Sequence, residues 1–355
     1  MEHRWMRWAP AVVAPVAIAA AVIVSPLAAG ASDLPVKSPS DVLRLVAASD
    51  TRSFSGTVEQ SSELGLPELP ATTSKGMDDG DAASLLELAL ADHTAKVWVD
   101  GPTHVRVQVL DKLAERDAIR NGDDLWLYES NGKKVAHATL PDSDAKSTPT
   151  PDATALTPSQ LAQRFLAAVD PSTKVTLGDE TKVAGRDAYD LVLTPRTDAT
   201  LIGTVSIAVD GKTGIPLKVA VTARGASAPA FEAGFTAFSD QKPDAGVFSF
   251  TPPQGASVSE QKLPTGDQFK DAAGSHPKPA VSGEGWATVV SLPAGSAPAG
   301  VADDPLFQQL TQPVDGGRAL SSSLVSVLIT ADGRVLAGSV PVSALQTAAA
   351  QATAQ

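Results

Sequence analysis

Hydrophobic and polar residues alternate with a period of two along much of this chain, the mark of half-buried β-strands. The densest block spans residues 174–250. There Tyr189, Leu191 and Leu193 fall on one side, followed by Val205, Ile207 and Val209. Leu217, Val219 and Val221 come next, with Lys218, Thr222 and Arg224 opposite, and then Phe231, Ala233 and Phe235 against Glu232 and Thr236. Turn residues separate these runs at 184–186, 210–214 and 242–244. Upstream, residues 54–60, 96–99, 104–110, 115–120, 125–129 and 134–139 also read as strands. Asn131-Gly132-Lys133 between the last two is a strong hairpin signal. Strands joined by short turns make an antiparallel meander, which buries one face and wets the other.

Three segments switch to helical spacing. Ser38 caps a helix over 39–49, with Pro39 at its first position, Asp41 facing the amino-terminal dipole, and Leu43, Val46 and Ala47 as its stripe. Ser84 and Glu87 form a capping box for 82–91, where Leu85, Leu86, Leu88 and Leu90 lie nearly all round. A helix so apolar must be covered. Thr157 and Pro158 open a helix that carries Leu161, Phe165, Leu166 and Val169. About ten strands and three helices give an α+β fold. In it a curved antiparallel sheet forms an open half-barrel, covered by helices, around an apolar cavity.

Both ends differ from the middle. Residues 1–31 read as a signal peptide: Arg4 and Arg7 precede an apolar run broken by Pro10, Pro15 and Pro26, and Ala29-Gly30-Ala31 offers a cleavage site. The run also approaches spanning length, so an uncleaved anchor is the rival reading. Either places the body outside the cytoplasm, secreted or at the cell surface. After residue 258 comes a Gly/Pro/Lys/Ser-rich linker, 259–282. A small carboxy-terminal α/β module with a β-hairpin around Asp332-Gly333 follows over 283–345, and a tail over 346–355.

Composition removes several chemistries. The chain has 28 Lys+Arg against 40 Asp+Glu, net −12, with no basic cluster, which argues against nucleic acid. It has no cysteine, hence no disulfide, thiolate zinc site or lipidated amino-terminal Cys. Gly211-Lys212-Thr213 lacks the upstream glycine of a phosphate loop, and no nucleophile elbow or His-Glu-x-x-His occurs. Of five histidines, His3 falls in the signal and His276 in the linker; His93, His104 and His137 read as solvent-facing strand positions. Asp78-Asp79-Gly80-Asp81 lacks the spacing and the closing glutamate of a calcium loop. Trp98, Trp126 and Tyr128 read as packing rather than a base-stacking platform. The expectation is a binding protein, not an enzyme, with no cofactor and no metal, acting as a monomer.

The order helix, strand, Leu-rich segment, meander, helix, meander resembles the LolA/LppX-like superfamily of lipoprotein carriers, including the RseB/MucB amino-terminal domain. The local likeness lies in Phe54-Ser55-Gly56-Thr57-Val58, in residues 183–189 from Val183 to Tyr189, and in residues 209–217 from Val209 to Leu217. It covers roughly 38–258, and exported actinobacterial proteins called LolA-like share this layout. The resemblance implies binding of an acyl lipid or a lipoprotein between sheet and lid. Phe54, Val58, Val97, Val99, Leu191, Leu193, Val205 and Ile207 would then face the groove, and Leu64, Leu66, Leu85, Leu86 and Leu88 would belong to the lid. The same positions also suit a closed core. The alternative that the resemblance brings is an RseB-like envelope sensor that docks on a membrane protein.

Overall fold

The computed structural model describes residues 34–66, 92–110, 114–140, 162, 172–261, 279–297, 301 and 305–353. The signal segment, the Leu-rich helix with Leu85, Leu86 and Leu88, the acidic loop at Asp78 and all but one residue of the helix expected over 157–169 lie outside them.

Alternation builds a 13-stranded curved open sheet. Its strands are β1 (Ser53–Ser62), β2 (His93–Asp100), β3 (His104–Leu110), β4 (Glu115–Asn121), β5 (Asp124–Glu129), β6 (Lys134–Thr139), β7 (Thr173–Leu177), β8 (Thr181–Val183), β9 (Arg186–Pro195), β10 (Ile202–Asp210), β11 (Pro216–Ala223), β12 (Pro229–Ser239) and β13 (Ser257–Gln261). The spatial order is β13-β6-β5-β4-β3-β2-β1-β12-β11-β10-β9-β7, with β8 beside β9. Two meanders, β2 to β6 and β9 to β12, are thus joined through β1, which pairs antiparallel with β2 on one side and β12 on the other. All pairings in this sheet are antiparallel except β13 with β6. Helix α1 (Pro39–Ala47) forms as its capping box predicts: Ser38 Oγ accepts from the Asp41 backbone N–H, and the Asp41 carboxylate accepts from the Ser38 N–H.

The carboxy-terminal part is larger than the expected hairpin. A second, 6-stranded sheet is ordered β14-β15-β19-β18-β17-β16. It comprises β14 (Ala280–Ser282), β15 (Val289–Leu292), β16 (Gln312–Val314), β17 (Gly317–Ser321), β18 (Ser326–Thr330) and β19 (Val335–Gly338). A short helix, α2 (Pro305–Leu310), precedes β16, and α3 (Val342–Thr353) follows β19. Leu345 and Ala349 of α3 bury themselves against Val289, Ala319, Leu328 and Leu336. The expected tail therefore belongs to this layer: α3 runs past residue 345 because its apolar face has a sheet to cover.

The two sheets meet at one end. Trp286, on a 3-10 turn before β15, donates its indole N–H to Thr173 Oγ1 at 2.8 Å. Ser339 O accepts from the Leu201 N–H and from Thr200 Oγ1. The Ser323 N–H donates to Leu64 O at 3.0 Å.

A candidate ligand-binding face

Cross-strand partners share a face, so register shows which side chains stand together. Phe54 lies opposite Val99, Gly56 opposite Val97, and Val58 opposite Ala95. Val99, Val97 and Ala95 in turn oppose Val105, Val107 and Val109. The same side continues through Ala118 of β4 to Leu125 and Leu127 of β5 and Ala138 and Ala136 of β6. In the other direction Val58 opposes Phe235, Val219 opposes Ile207, and Val205 and Ile207 oppose Leu193 and Leu191. One face of the long sheet is therefore aliphatic and aromatic almost throughout. Every groove position expected from the sequence lies on it.

Its two halves differ in what covers them. Over β9 to β12, Leu191, Leu193, Val205 and Ile207 are fully buried in one cluster with Val42 of α1, Ala162, Trp286 and Leu324. Leu43, Leu45 and Val46 of α1 and Leu64 also pack there. Leu66 is half-buried. Over β1 to β3, Phe54, Val58, Val97, Val107 and Phe235 gather in a second cluster with Leu217 and Ile215. At its margin the face opens: Val99, Val105, Leu125 and Leu127 are only half-buried. Val105, Leu125 and Leu127 extend the face beyond the expected site residues, although their alternation is visible in the sequence. Arg116 and Arg120 flank Ala118 on this margin, and Arg120 Nε donates to Gly122 O at 3.0 Å.

Two buried polar residues, Gln60 and His93, stand within the apolar field. Gln60 lies opposite Ala233 and His93, is 1% exposed, and neither of its amide atoms finds a hydrogen-bond partner among the described residues. His93 is buried as well, which corrects the expectation of a solvent-facing histidine. The alternation of β2 sets it on the side of Ala95 and Val97, and position outweighs residue type. His137 departs from the expectation too. It stacks on Trp126 with ring centroids 3.9 Å apart and is held between Glu260 Oε2 at 2.9 Å and Asp124 Oδ1 at 3.0 Å. His104 meets the ring of Phe248 edge-on, with centroids 5.7 Å apart.

The opposite face mixes ion pairs with a smaller apolar patch, where Ile119 and Val135 are buried and Trp126 and Tyr128 pack against Phe250. Arg106 grips Asp117 through Nε–Oδ1 at 3.1 Å and Nη2–Oδ2 at 2.5 Å, and donates to Val247 O. Burial nevertheless pushes the Asp117 carboxyl above the usual carboxylate value, because desolvation outweighs the Arg106 contact. Asp190 is raised for the same reason; it accepts from Ser206 Oγ. Asp210 moves the other way. Burial opposes its charge, but Arg186 and the hydroxyl and N–H of Thr213 more than compensate and hold it low. Arg186 belongs to one of the motifs that carry the family resemblance and Asp210 to another, so their pair ties two hairpin ends together. Those motifs are structural. Among the described residues no group of His, Asp and Glu gathers to hold a metal ion.

The class defined by these observations is an open, curved antiparallel sheet with an apolar inner face. The family model described as "Predicted periplasmic protein (DUF2092)" matches residues 85–259. No curated protein matches the chain. Among solved structures, the MucA/MucB complex of Pseudomonas aeruginosa is similar at 19% identity and a TM-score of 0.42, covering 87% of this chain and 96% of that one. A LolA superfamily protein of Nitrosomonas europaea is similar at 11% identity and a TM-score of 0.24, covering 61% and 99%. The chain is thus similar to LolA-superfamily and MucB proteins.

Proposed function

We propose that the chain is an extracytoplasmic, non-enzymatic binding protein that holds acyl chains, or the lipid of a lipidated partner, on the inner face of its curved sheet. The supporting observation is the margin at Val99, Val105, Leu125 and Leu127, where a largely aliphatic face, interrupted there by Arg116 and Arg120, remains half-open. Each methylene laid against such a face contributes about 0.8 kcal/mol, so an acyl chain binds without any charge or cofactor. In this reading Phe54, Val58, Val97 and Val99 line the groove, and Leu191, Leu193, Val205 and Ile207 form its floor beneath α1. Leu64 and Leu66 belong to its lid side. The test is purification from the native compartment, organic extraction and mass spectrometry. Acyl lipid at a stoichiometric level is expected, and it should vanish in a Val105→Asp, Leu127→Asp double variant that remains folded. Lipid-free wild-type protein that also takes up no lipid in vitro would remove the reading.

A second reading, an RseB-like module that docks on the extracytoplasmic segment of a membrane protein, draws support from the second sheet. Its side away from α3 carries Val281, Val290 and Leu292, which are 66%, 40% and 37% exposed, beside half-buried Val327, Ile329, Val335 and Ala337. Apolar patches of this kind mark contact surfaces. Val290→Lys would abolish such docking and leave lipid content unchanged.

A further inference from the structure

We infer that the inner face carries a polar recognition point at the end of β1, built from Gln60 and Ser323, that selects acyl ligands with a neutral, hydroxyl-bearing head group. This rests on the reading of the face as an acyl site and names the part of the ligand that it would sort.

Two orphaned groups support it. Gln60 is 1% exposed and neither its Oε1 nor its Nε2 has a partner among the described residues. Buried side-chain amides are almost always satisfied, because desolvating one without a partner is costly. The second group is Ser323, whose buried Oγ is likewise without a partner among the described residues. It belongs to the other sheet, yet its backbone N–H donates to Leu64 O, four residues beyond Gln60 in the strand's exit. Gln60 thus lies near the end of β1, and Ser323 meets the chain just beyond that end, where the two sheets meet. Around Gln60 the face is apolar except for one residue: Val58 and Ala95 precede it, Ala233 lies opposite on one side, Phe235 and Phe231 are diagonal, and the buried His93 lies opposite on the other side.

The chemistry of the pair defines the head group. A primary amide offers two N–H donors and one carbonyl acceptor, and a serine hydroxyl both donates and accepts. A ligand group that both donates and accepts satisfies them; a vicinal hydroxyl next to an ester carbonyl does so. A carboxylate only accepts, which would leave Gln60 Oε1 empty. It would also enter a site whose neighbouring positions carry no Lys or Arg, with the buried His93 as the one titratable neighbour named, and a charge that His93 did not pair would be strongly disfavoured. The expected preference is for a monoacylglycerol-type head over the free fatty acid of the same chain.

The experiment uses the delipidated full chain and three probes: diphenylhexatriene as a pure hydrocarbon, monooleoylglycerol, and oleate. Wild type is expected to bind diphenylhexatriene and to release it to monooleoylglycerol about tenfold more readily than to oleate. Gln60→Leu should weaken monooleoylglycerol about tenfold without changing diphenylhexatriene affinity, and Ser323→Ala should do the same to a smaller extent. Ser323→Ala also serves if Gln60→Leu does not fold. Should both variants bind monooleoylglycerol as wild type does, Gln60 is an orphaned core amide and the inference falls while the groove stands. Tighter binding of oleate would move the head group elsewhere, toward Arg120, and would overturn the inference in the same way. Failure of wild type to take up diphenylhexatriene would remove the groove and this inference together.

Discussion

The ring of Phe235 lies directly over Gly56, so that a β-carbon built at Gly56 would stand 2.6 Å from the Phe235 Cδ1 atom and 2.5 Å from Ala237 O. Phe54 and Phe238 complete the group, with Phe54 edge-on to Phe235 and stacked on Phe238 at centroid distances of 6.2 and 5.9 Å. The bulge in the pairing of β1 with β12, between Thr57 and Val58, brings Phe238 to the side of Phe235. Gly56→Ala must push the ring or the strand aside. A loss of about 2 kcal/mol is expected, read as a lower denaturant midpoint at unchanged slope.

Two aspartates should respond to amidation with opposite signs. Asp190 is raised by burial, so it binds its proton more tightly in the folded state. Stability from this group is present at low pH and declines as pH rises from the unfolded value of 3.8 through the folded one. Asp190→Asn is therefore expected to be more stable than wild type at neutral pH, with the gain fading in acid.

Asp210 is held low against its burial by Arg186 and Thr213, so its contribution is present above 3.8 and is lost as pH falls through the depressed folded value. Asp210→Asn should cost about 2 kcal/mol at pH 7 and progressively less in acid. Parallel unfolding curves of the two variants against pH would show the crossing trends; curves that move together would refute the assignment.

Trp286 joins the sheets by burying its ring in the first core while its N–H reaches Thr173. Trp286→Ala should cost about 3–5 kcal/mol. It should also split one thermal transition into two, because the second sheet keeps its own core under α3. Trp286→Phe retains most of the packing and should keep a single transition.

His137 supports β13 through Glu260, since β13 otherwise holds the sheet by its ladder with β6. His137→Ala is expected to raise amide hydrogen exchange in residues 257–261 about tenfold, with little change in β9 to β12. Exchange unchanged at these amides would show that the clamp is incidental.

Much of the architecture can be read from the chain because the inner face imposes a strict alternation. Tyr189, Leu191 and Leu193, or Val105, Val107 and Val109, declare strand and side at once. Where the signal is missing, the physics behind it is missing too. Residues 257–261 are nearly all polar and exposed, since an added edge strand needs backbone hydrogen bonds but no core side chains. β16 is three residues long with a proline at its centre and β17 only five, so neither alternates long enough to stand out. Phe238 joins the aromatic group through a bulge, which a period of two cannot register. Gln60 and His93 mislead when judged by residue type alone. Each sits two positions from a buried apolar residue, Val58 and Ala95, and that spacing places them inside.

The seam between the meanders has a consequence for how the molecule comes into being. β2 to β6 and β9 to β12 each zip up from neighbouring hairpins, but β1 needs partners from both, and Thr236 reaches Thr57 across 179 residues of chain. Such a distant closure is entropically late. The first strand of the sheet in chain order is therefore stitched in last, and synthesis that stalls before residue 239 leaves two half-sheets with their greasy edges unsewn.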